Sequence, residues 1–452
     1  MFAIEWTEIR ESRYRHMQIQ PMASGETEPK SEPAGASGPL KVGVLVDLDF
    51  DPDGGGHVKV WEHYAHGAVA FPDEVDLTIH FQGPAWREIV IAPNVRLRTH
   101  PPAFSTSRIP LLGLLPTHMD LAPVHRELLG EISDCDVVHT TDGYFAYTRT
   151  ATIAARRKRI GLVSSIHTDT PGHTRLFTGL IIRKQLGNGW LGNLVVDKLR
   201  VPERLGDMMQ RRLYRYLARC DRVLLPERQD LFPELRDYAQ ASPMPRGIDK
   251  TQFHPDRGDR ARLVAEYGIP DDRCIVVFAG RIDDSKDIMT LARAGRSLIE
   301  RGAAVHFIVA GEGNYMDQVK AKLGDRVVMP GWLNQDELAW LFASADLFAF
   351  PSRLDVVPNV VLEAMACGLT PMVAAESAVY VRDNDTGFIV REPTPAAWTE
   401  ALESACGDPE RLARMGQAVR RFIETERRSW QEVVGEILLP TWRAAAAAAG
   451  RR

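Results

Sequence analysis

Cysteine is scarce in this sequence, and none of it is paired. The five cysteines are scattered over 452 residues and form no C-x-x-C motif. An odd number of isolated cysteines argues against a disulfide framework and against a zinc site built from thiolates. This usage is typical of a reducing compartment, so we expect a cytoplasmic location, either free or peripheral on the inner face of the membrane.

The sequence also lacks long apolar segments and a strong bias of charge. No run of 18 apolar residues is present, so no membrane-spanning helix is predicted. The first residues include Glu5, Glu8 and Glu11 where a secretory signal has basic residues, and we expect no such signal. With 55 basic against 60 acidic side chains, the chain has no general attraction to nucleic acid, and we expect no nucleic-acid partner.

The composition that remains is that of a globular protein, with 44% hydrophobic and 25% charged residues. Short apolar runs alternate with longer stretches of helical periodicity, and this pattern begins twice; the runs of its second half include Cys274–Ala279, Val305–Ala310, Leu347–Phe350 and Thr370–Ala374. It predicts an α/β fold of two Rossmann-like, doubly wound parallel-sheet domains. The predicted segments are a flexible leader at 1–38, an N-terminal domain at 39–242, a hinge at 243–255, a C-terminal domain at 256–425, and a C-terminal helix and tail at 426–452. The final helix is expected to pack on either domain, and its alanine run at 444–449 is expected to fray.

The most informative segment is 351–368, in which a predicted strand leads through a loop to a helix that starts at about Pro358. The first amides of that helix lack intrahelical partners and predict an anion site: Asn359, Val360 and Val361. Glu363 lies one turn into the helix, where its carboxylate can accept two hydrogen bonds from a vicinal diol such as a ribose. Asp355, in the loop, is placed for the hydroxyls of a second group. The alternative for these two carboxylates is a helix cap and a surface ion pair.

A second element supplies cations after the first strand of the C-terminal unit. It contains Gly280, Arg281 and Lys286, with a predicted helix from about Ile288. Arginine binds two phosphate oxygens bidentately, and lysine neutralises a third. The alternative is a pair of solvated surface cations.

These two elements resemble the retaining glycosyltransferases of family 4. Asp355 and Glu363 have seven residues between them, as in the family's E-x7-E signature, and the segment from Gly280 to Lys286 resembles its phosphate-binding turn. Further landmarks follow in the family's order at 245–255, 310–313, 330–332, 345–346 and 351–352. The amino-acid sequence of 359–368 most resembles the branch that includes GDP-mannose-dependent mannosyltransferases and sulfoquinovosyltransferases.

The resemblance implies a GT-B fold and the retaining transfer of a hexose from a GDP- or UDP-sugar to a lipid or saccharide acceptor. It implies no cofactor, and no metal ion, because protein cations take the metal's place in such enzymes. The catalytic residues that it implies are Asp355, His167, Lys286 and Arg281. The nucleotide-sugar contacts that it implies are Gly55, Gly56, Gly280, Arg281, Lys286, Gly311, Trp332, Leu333, Asp355, Asn359, Val360, Val361 and Glu363. Trp332 is either a contact to the base or a core aromatic.

Three departures from the family pattern bear on sugar identity. Asp355 stands where glutamate is usual, Pro358 where glycine is common, and 376–380 lacks the usual glycine-rich stretch. The alternatives to a transferase are therefore a GT-B relative with other chemistry, such as a phosphorylase or a nucleotide-sugar epimerase, and a non-catalytic nucleotide-sugar binder.

The N-terminal half adds three weaker signals. The strand predicted at 161–167 ends in His167, which is either a donor-sugar contact or a structural group. Acidic residues alternate in and before the glycine loop, at Asp47, Asp49, Asp51 and Asp53. Three interpretations are open for them: binding of a hard cation, hydrogen bonds to sugar hydroxyls, or a solvated loop. The segment 175–219 carries ten basic residues against three acidic ones, mixed with apolar residues, so it is either a contact to an anionic membrane or a solvated helix face.

Overall fold

The structure is a computed structural model that describes residues 38–50, 56–105, 120–187, 189–228, 232–235, 238–355 and 357–451. All the elements below lie in one compact unit, Pro39–Arg452. This unit contains two sheets, which are described in turn.

The first sheet has eight strands in the order β3-β4-β2-β1-β5-β6-β7-β8. Its strands are β1 (Leu40–Asp49), β2 (Val75–Gln82), β3 (Arg87–Ala92), β4 (Val95–His100), β5 (Val137–Thr140), β6 (Gly161–Ser165), β7 (Arg222–Leu225) and β8 (Ala241–Pro243). Every pairing is parallel except that of β3 with β4. Strands β3, β4 and β8 were not predicted from the sequence, because short or half-exposed strands do not form long continuous apolar runs.

The helices of this half are α1 (Gly56–Ala68), α2 (Arg126–Glu131), α3 (Ala146–Lys158), α4 (Thr170–Leu186), α5 (Trp190–Asn193) and α6 (Val201–Leu217). A 3₁₀ turn follows α2 at Ile132–Asp134, and a π-helical turn follows α5 at Leu194–Lys198. A further 3₁₀ turn lies at Pro233–Leu235. Helices α4 and α6 pack against each other, and Pro171 is the one buried residue of α4.

The second sheet has six strands, all parallel, in the order β11-β10-β9-β12-β13-β14. They are β9 (Cys274–Ala279), β10 (Val305–Ala310), β11 (Val327–Gly331), β12 (Leu347–Phe350), β13 (Thr370–Ala374) and β14 (Phe388–Val390). Their helices are α7 (Arg260–Tyr267), α8 (Ile288–Glu300), α9 (Met316–Leu323), α10 (Gln335–Ser344), α11 (Asn359–Ala366), α12 (Pro395–Cys406) and α13 (Pro409–Glu426). Shorter 3₁₀ turns lie at Pro255–Arg257, Asp284–Lys286, Gly324–Arg326 and Ala375–Ser377. The two parallel α/β sheets agree with the predicted fold class; the domain boundaries themselves stay a prediction.

The C-terminal segment packs on the first sheet. It consists of α14 (Trp430–Val433), a π-helical turn (Val434–Leu438) and α15 (Leu439–Gly450). Trp442 is fully buried and donates from Nε1 to Nδ1 of the buried His139 on β5, at 3.0 Å. The alanine run does not fray, because Ala445 and Ala449 are buried in the same interface and fix the helix there. This expectation was wrong.

A buried ion pair joins the segment after β7 to the C-terminal half. Arg427 donates from Nη1 and Nη2 to the two carboxylate oxygens of Glu227, at 2.8 and 3.2 Å. The Tyr380 hydroxyl donates to the same carboxylate at 2.7 Å, and the backbone N–H of Arg246 does so at 3.3 Å. The Glu227 carboxylate therefore links the segment after β7 to Arg246 and to Tyr380 and Arg427 of the C-terminal half.

Candidate active site

Glycines bring the ends of three strands of the second sheet into contact. Gly280 follows β9 with φ +149°, and Gly311 follows β10 with φ +124°, values that L side chains rarely adopt. A Cβ on Gly311 would lie 2.0 Å from the Gly280 carbonyl oxygen. The Gly311 N–H donates to the Gly331 carbonyl at 2.7 Å. The predicted landmarks at 280, 311 and 330–332 are thus neighbours at the carboxyl edge of the sheet, where ligands of such sheets bind.

The predicted cations lie in the turn that begins at this edge. The carboxylate of Asp283 caps the 3₁₀ turn at Asp284–Lys286 by accepting from the Ser285 N–H at 2.9 Å. Arg281 Nη2 donates to Ser285 Oγ at 2.9 Å, and the Arg281 side chain is half-exposed. The turn therefore places Arg281 and Lys286 on either side of one serine.

Lys286 and Asp355 meet directly, although 69 residues separate them in the sequence. The Lys286 Nζ donates to Asp355 Oδ1 at 2.6 Å and to Oδ2 at 2.7 Å. Ser352 Oγ donates to the same carboxylate, and the loop between β12 and α11 is thereby fastened to the cationic turn. An ammonium has three N–H donors, so Lys286 keeps one more for another acceptor.

Helix α11 starts one residue later than the sequence predicted. Pro358 is the N-cap, with φ −77° and ψ 109°, and it is not the first helical residue; no side chain caps the helix. The ring of a proline holds φ near this value, and ψ is extended here, so the residue cannot continue into the helix. The Val361 N–H donates to the Pro358 carbonyl at 3.3 Å and is not free as predicted, so the amides of Asn359 and Val360 present the positive end of the helix dipole.

Glu363 is the most perturbed carboxyl group of this segment. Burial raises its pKa to about 7, and its side chain has no hydrogen-bond partner among the described residues. A buried carboxylate without donors is costly, so this group favours a ligand that donates hydrogen bonds to it.

The opposite wall of the cleft is formed by the start of α1. A Cβ on Gly56 would lie 3.9 Å from Nδ2 of Asn359, so the first residues of α1 and α11 face each other. Two polar atoms at this point are shielded from solvent and have no hydrogen-bond partner among the described residues: Nε2 of His57 and Oδ1 of Asn359. Gly55, Asp51 and Asp53 lie outside the described residues.

His167 lies two residues beyond the end of β6, and both of its ring nitrogens have partners. Arg246 Nη1 lies 3.0 Å from Nδ1 of His167, and Ser165 Oγ lies 2.8 Å from Nε2. Because an arginine only donates, Nδ1 accepts, and Nε2 carries the proton that goes to Ser165. His57 stacks on His167 with ring centroids 4.4 Å apart, and burial and the Arg246 charge lower the pKa of His57 to about 3. The contact of His167 with the donor sugar stays a prediction. In this stacked pair, Nε2 of His57 is the ring nitrogen without a partner among the described residues.

A second histidine faces the cationic turn from the N-terminal half. His173 lies in the first turns of α4, whose N-cap Asp169 accepts from the Gly172 N–H at 2.9 Å. Burial lowers the pKa of His173, and the charges of Asp355 and Lys286 act on it. The start of α4 is therefore near enough to the Lys286–Asp355 pair for their charges to act on it.

Other predicted residues are placed as follows. Trp332 is 41% exposed, which excludes the core-aromatic alternative, and Leu333 packs partly against the second core. Asp47 and Asp49 belong to β1 and are not loop residues as expected. Asp47 is buried, accepts from the Tyr147 N–H at 3.2 Å, and has a raised pKa chiefly because of its burial, so it is a structural group.

Three residues of this site had no predicted role: His57, His173 and Arg246. His57 directly follows the glycine loop, His173 stands six residues after His167, and Arg246 lies within the landmark at 245–255. The sequence pointed to these residues only through their positions beside a glycine loop, a strand end and the hinge. The fold shows that these three segments meet.

The C-terminal half matches a known family. Residues 259–422 match the family model of glycosyl transferases group 1. This match confirms the predicted resemblance to family 4 glycosyltransferases for that part of the chain.

Curated relatives match over a similar length. The D-inositol 3-phosphate glycosyltransferase of Nocardia farcinica is 34% identical over 217 residues, 45% of this chain and 47% of that protein. The GDP-mannose-dependent alpha-(1-6)-phosphatidylinositol monomannoside mannosyltransferase of Mycolicibacterium smegmatis is 34% identical over 194 residues, 40% of this chain and 50% of that protein. The matches thus span about half the length of these relatives.

Solved structures match nearly the whole chain. The sucrose-phosphate synthase of Thermosynechococcus elongatus has a TM-score of 0.65 at 18% identity, covering 90% of this chain and 100% of that one. HepE of Anabaena, solved with UDP and glucose, has a TM-score of 0.60 at 16% identity, covering 88% of this chain and 98% of that one. These likenesses establish the fold, which is GT-B as predicted.

Proposed function

We propose that this chain, whose residues 259–422 belong to the group 1 glycosyltransferases and whose fold is GT-B, transfers a hexose from a nucleoside-diphosphate sugar to a lipid or saccharide acceptor. One observation carries the proposal. Arg281, Lys286 and Asp355 form a contiguous cluster beside the uncapped start of α11, and α1 and α4 of the other half face this cluster.

The diphosphate of the donor binds at this cluster. Arg281 offers a half-exposed guanidinium, Lys286 has one N–H beyond those given to Asp355, and the first amides of α11 add a partial positive charge. Asp355 orients the Lys286 ammonium and, by family position, contacts the transferred sugar. Negative charge develops on the diphosphate as it leaves, and these fixed donors stabilise that charge.

The ribose of the donor binds Glu363. A vicinal diol donates two hydrogen bonds to the carboxylate and supplies the partners that this largely buried group lacks among the described residues. Bound in this way, the charged form of Glu363 is favoured and its pKa falls toward the usual range. Trp332 and Leu333 are the proposed contacts to the base, which is guanine or uracil; the GDP-mannose-dependent relative and the UDP complex of the structural neighbour support these two choices.

The transfer proceeds with retention at the anomeric carbon and without a catalytic metal ion. No side chain of the cluster is placed as a covalent nucleophile, so we favour departure and attack on the same face of the sugar. The bond between the anomeric carbon and the diphosphate breaks, the acceptor oxygen bonds to that carbon, and the acceptor proton passes to a diphosphate oxygen. Arg281 and Lys286 supply the positive charge that a divalent ion supplies in other transferases.

The test is a transfer assay with GDP-, UDP- and ADP-sugars, after a thermal-shift screen that selects the donor. Lys286→Ala is expected to lower kcat/KM by 100-fold or more, because a charged hydrogen bond to the leaving group is lost. Lys322→Ala, on the exposed side of α9, is the matched control and should leave turnover unchanged. Donor binding without transfer to any acceptor, or near-normal turnover of Lys286→Ala, contradicts the proposal. Retention is read from the anomeric configuration of the product, and metal independence from turnover in EDTA.

We also propose that 175–219 contacts an anionic membrane surface. No helix among the described residues is long and apolar enough to cross a bilayer. The exposed apolar side chains of α4 to α6 include Leu180 at 46%, Trp190 at 74% and Met208 at 52%, and they lie among the ten basic residues of this segment. Apolar and cationic groups on one surface favour insertion at an anionic interface.

Sedimentation with vesicles of anionic phospholipid at low salt tests this contact. The chain is expected to sediment with anionic but not with zwitterionic vesicles, and Trp190→Ser should weaken the binding. Trp86→Ser is the control, because Trp86 is 54% exposed but lies outside the segment. Equal sedimentation with both vesicle types, or none with either, contradicts the membrane contact.

A further inference from the structure

A group of buried imidazoles lies in the first sheet, among residues that the proposed function does not use. His80 is the third residue from the end of β2, His100 is the last residue of the neighbouring strand β4, and Glu131 is the last residue of α2. The two imidazoles are 1% and 0% exposed, and the Glu131 side chain is 23% exposed. Among the described residues this is the one set of three potential metal ligands whose donor atoms all lie close together.

The three donor atoms form a nearly regular triangle. His80 Nδ1 lies 3.0 Å from His100 Nε2, and Glu131 Oε2 lies 3.6 Å from the first atom and 3.7 Å from the second. Ligands at the usual zinc distances of about 2.0–2.2 Å, in a tetrahedral arrangement, are separated by about 3.3–3.5 Å. Each side of the triangle is within about 0.4 Å of that separation.

Hydrogen bonds alone explain only one side of this triangle. The 3.0 Å contact fits an N–H···N bond between the two imidazoles. The distances from Glu131 Oε2 to both rings are too long for hydrogen bonds, yet one carboxylate oxygen faces both ring nitrogens almost equally. A shared cation accounts for all three distances together.

The surroundings suit a cation of this kind. Glu131 is held by two donors, Arg98 Nη1 at 3.0 Å on Oε2 and Trp86 Nε1 at 3.1 Å on Oε1. The charge of Arg98 is offset by Glu88 at 2.6 Å, which leaves the cluster with a net negative charge.

A third imidazole beside the cluster has hydrogen-bond partners of its own. His125, at the N-cap of α2, lies with its ring centroid 5.7 Å from that of His100. Its Nδ1 accepts from the Leu128 N–H, and its Nε2 lies 3.0 Å from the Pro101 carbonyl oxygen. His125 is therefore a positioning group for α2 and is not a fourth ligand.

We propose that His80 Nδ1, His100 Nε2 and Glu131 Oε2 bind one Zn²⁺ ion, with a water molecule as the fourth ligand. The ion joins β2, β4 and α2 and stabilises the N-terminal half. The site departs from the sequence-based expectation of no metal, because its ligands are separated by 20 and 31 residues and meet only through the pairing of β2 with β4 and the packing of α2. It has no role in the transfer step, so its test is independent of the proposed function.

The test uses the full chain, freed of any affinity tag and dialysed against a chelator. Calorimetry with Zn²⁺ is expected to show one ion bound per chain, and zinc at a hundred-fold excess over its dissociation constant should raise Tm by about 5 °C or more. Co²⁺ in place of zinc should give the visible absorption of a tetrahedral site. His80→Gln and His100→Gln should each lose stoichiometric binding.

The controls separate this site from surface histidines and from free thiols. His66→Gln, exposed on α1, and His306→Gln, buried on β10, should bind as the unaltered chain does. Glu131→Gln covers the case in which a buried variant fails to fold, because the Glu131 side chain is partly exposed; it should keep its circular dichroism and bind zinc at least 10-fold more weakly. Three results overturn the proposal: no stoichiometric binding, binding that survives both histidine changes, and thiolate charge-transfer bands in the cobalt spectrum.

Discussion

Glu363 offers the sharpest test of how this site is built, because its burial has opposite effects on stability and on binding. Its pKa is raised to about 7 from an ordinary value of 4.5. In the unfolded chain the group ionises at the lower pH, so the folded state holds an extra proton between pH 4.5 and 7. Stability is therefore lost as the pH rises through this window, by about 3 kcal/mol in total.

Glu363→Gln removes the ionisation and keeps the shape of the side chain. The stability of the variant relative to the unaltered chain should increase by about 2 kcal/mol between pH 5 and pH 8. For a cooperative unit of 150–250 residues this corresponds to a Tm gap that widens by about 4–8 °C. Scanning calorimetry at both pH values measures it, with Glu410→Gln, on the exposed face of α13, as the control.

The same substitution, Glu363→Gln, should weaken the binding of the nucleotide-sugar donor. A diol that donates to a charged acceptor contributes about 1.5–3 kcal/mol, so Glu363→Gln is expected to raise the dissociation constant of the donor by 10- to 100-fold. If the Tm difference between the variant and the unaltered chain is the same at pH 5 and pH 8, the claim that Glu363 is a buried carboxyl group without partners is wrong. A wider gap with unchanged donor binding refutes the ribose contact alone.

Three further predictions follow from packing. Gly311→Ala should destabilise the chain by about 3 kcal/mol or more and reduce donor binding, because its Cβ would lie 2.0 Å from the Gly280 carbonyl; urea unfolding and calorimetry measure both effects, and an unchanged midpoint contradicts the close approach. Trp442→Ala should cost about 3–5 kcal/mol in urea unfolding, and a loss below 1 kcal/mol would show that α15 does not anchor the first sheet. A mild thiol oxidant should link Cys274 to Cys406, whose Sγ atoms lie 2.8 Å apart, and peptide mapping that finds both thiols free contradicts this pairing.

The sequence predicts the inner strands of the second sheet to the residue. The strands β9, β10, β12 and β13 are continuous apolar runs because both of their faces are buried, and a glycine or a loop residue ends each of them. The hairpin of β3 and β4 escapes this pattern, since no residue of β3 is buried and β4 begins with apolar and charged residues in alternation.

The site is predictable where it depends on local chain geometry. Arg281 and Lys286 share one turn, and Glu363 stands one helical turn from the start of α11; both facts follow from spacing. Three other contacts depend on strand order and helix packing: the Lys286–Asp355 pair, the approach of Gly56 to Asn359, and the imidazole pair of His80 and His100. No spacing along the chain encodes those contacts.

The central claim is that Lys286 and the start of α11 hold the diphosphate of the donor. Calorimetric titration of the chain with the preferred nucleoside diphosphate, and with the same nucleoside without phosphate, tests this most directly. We predict that Lys286→Ala weakens binding of the diphosphate by 10- to 100-fold and leaves binding of the bare nucleoside unchanged. Equal affinities of the variant and the unaltered chain for the diphosphate would contradict the account.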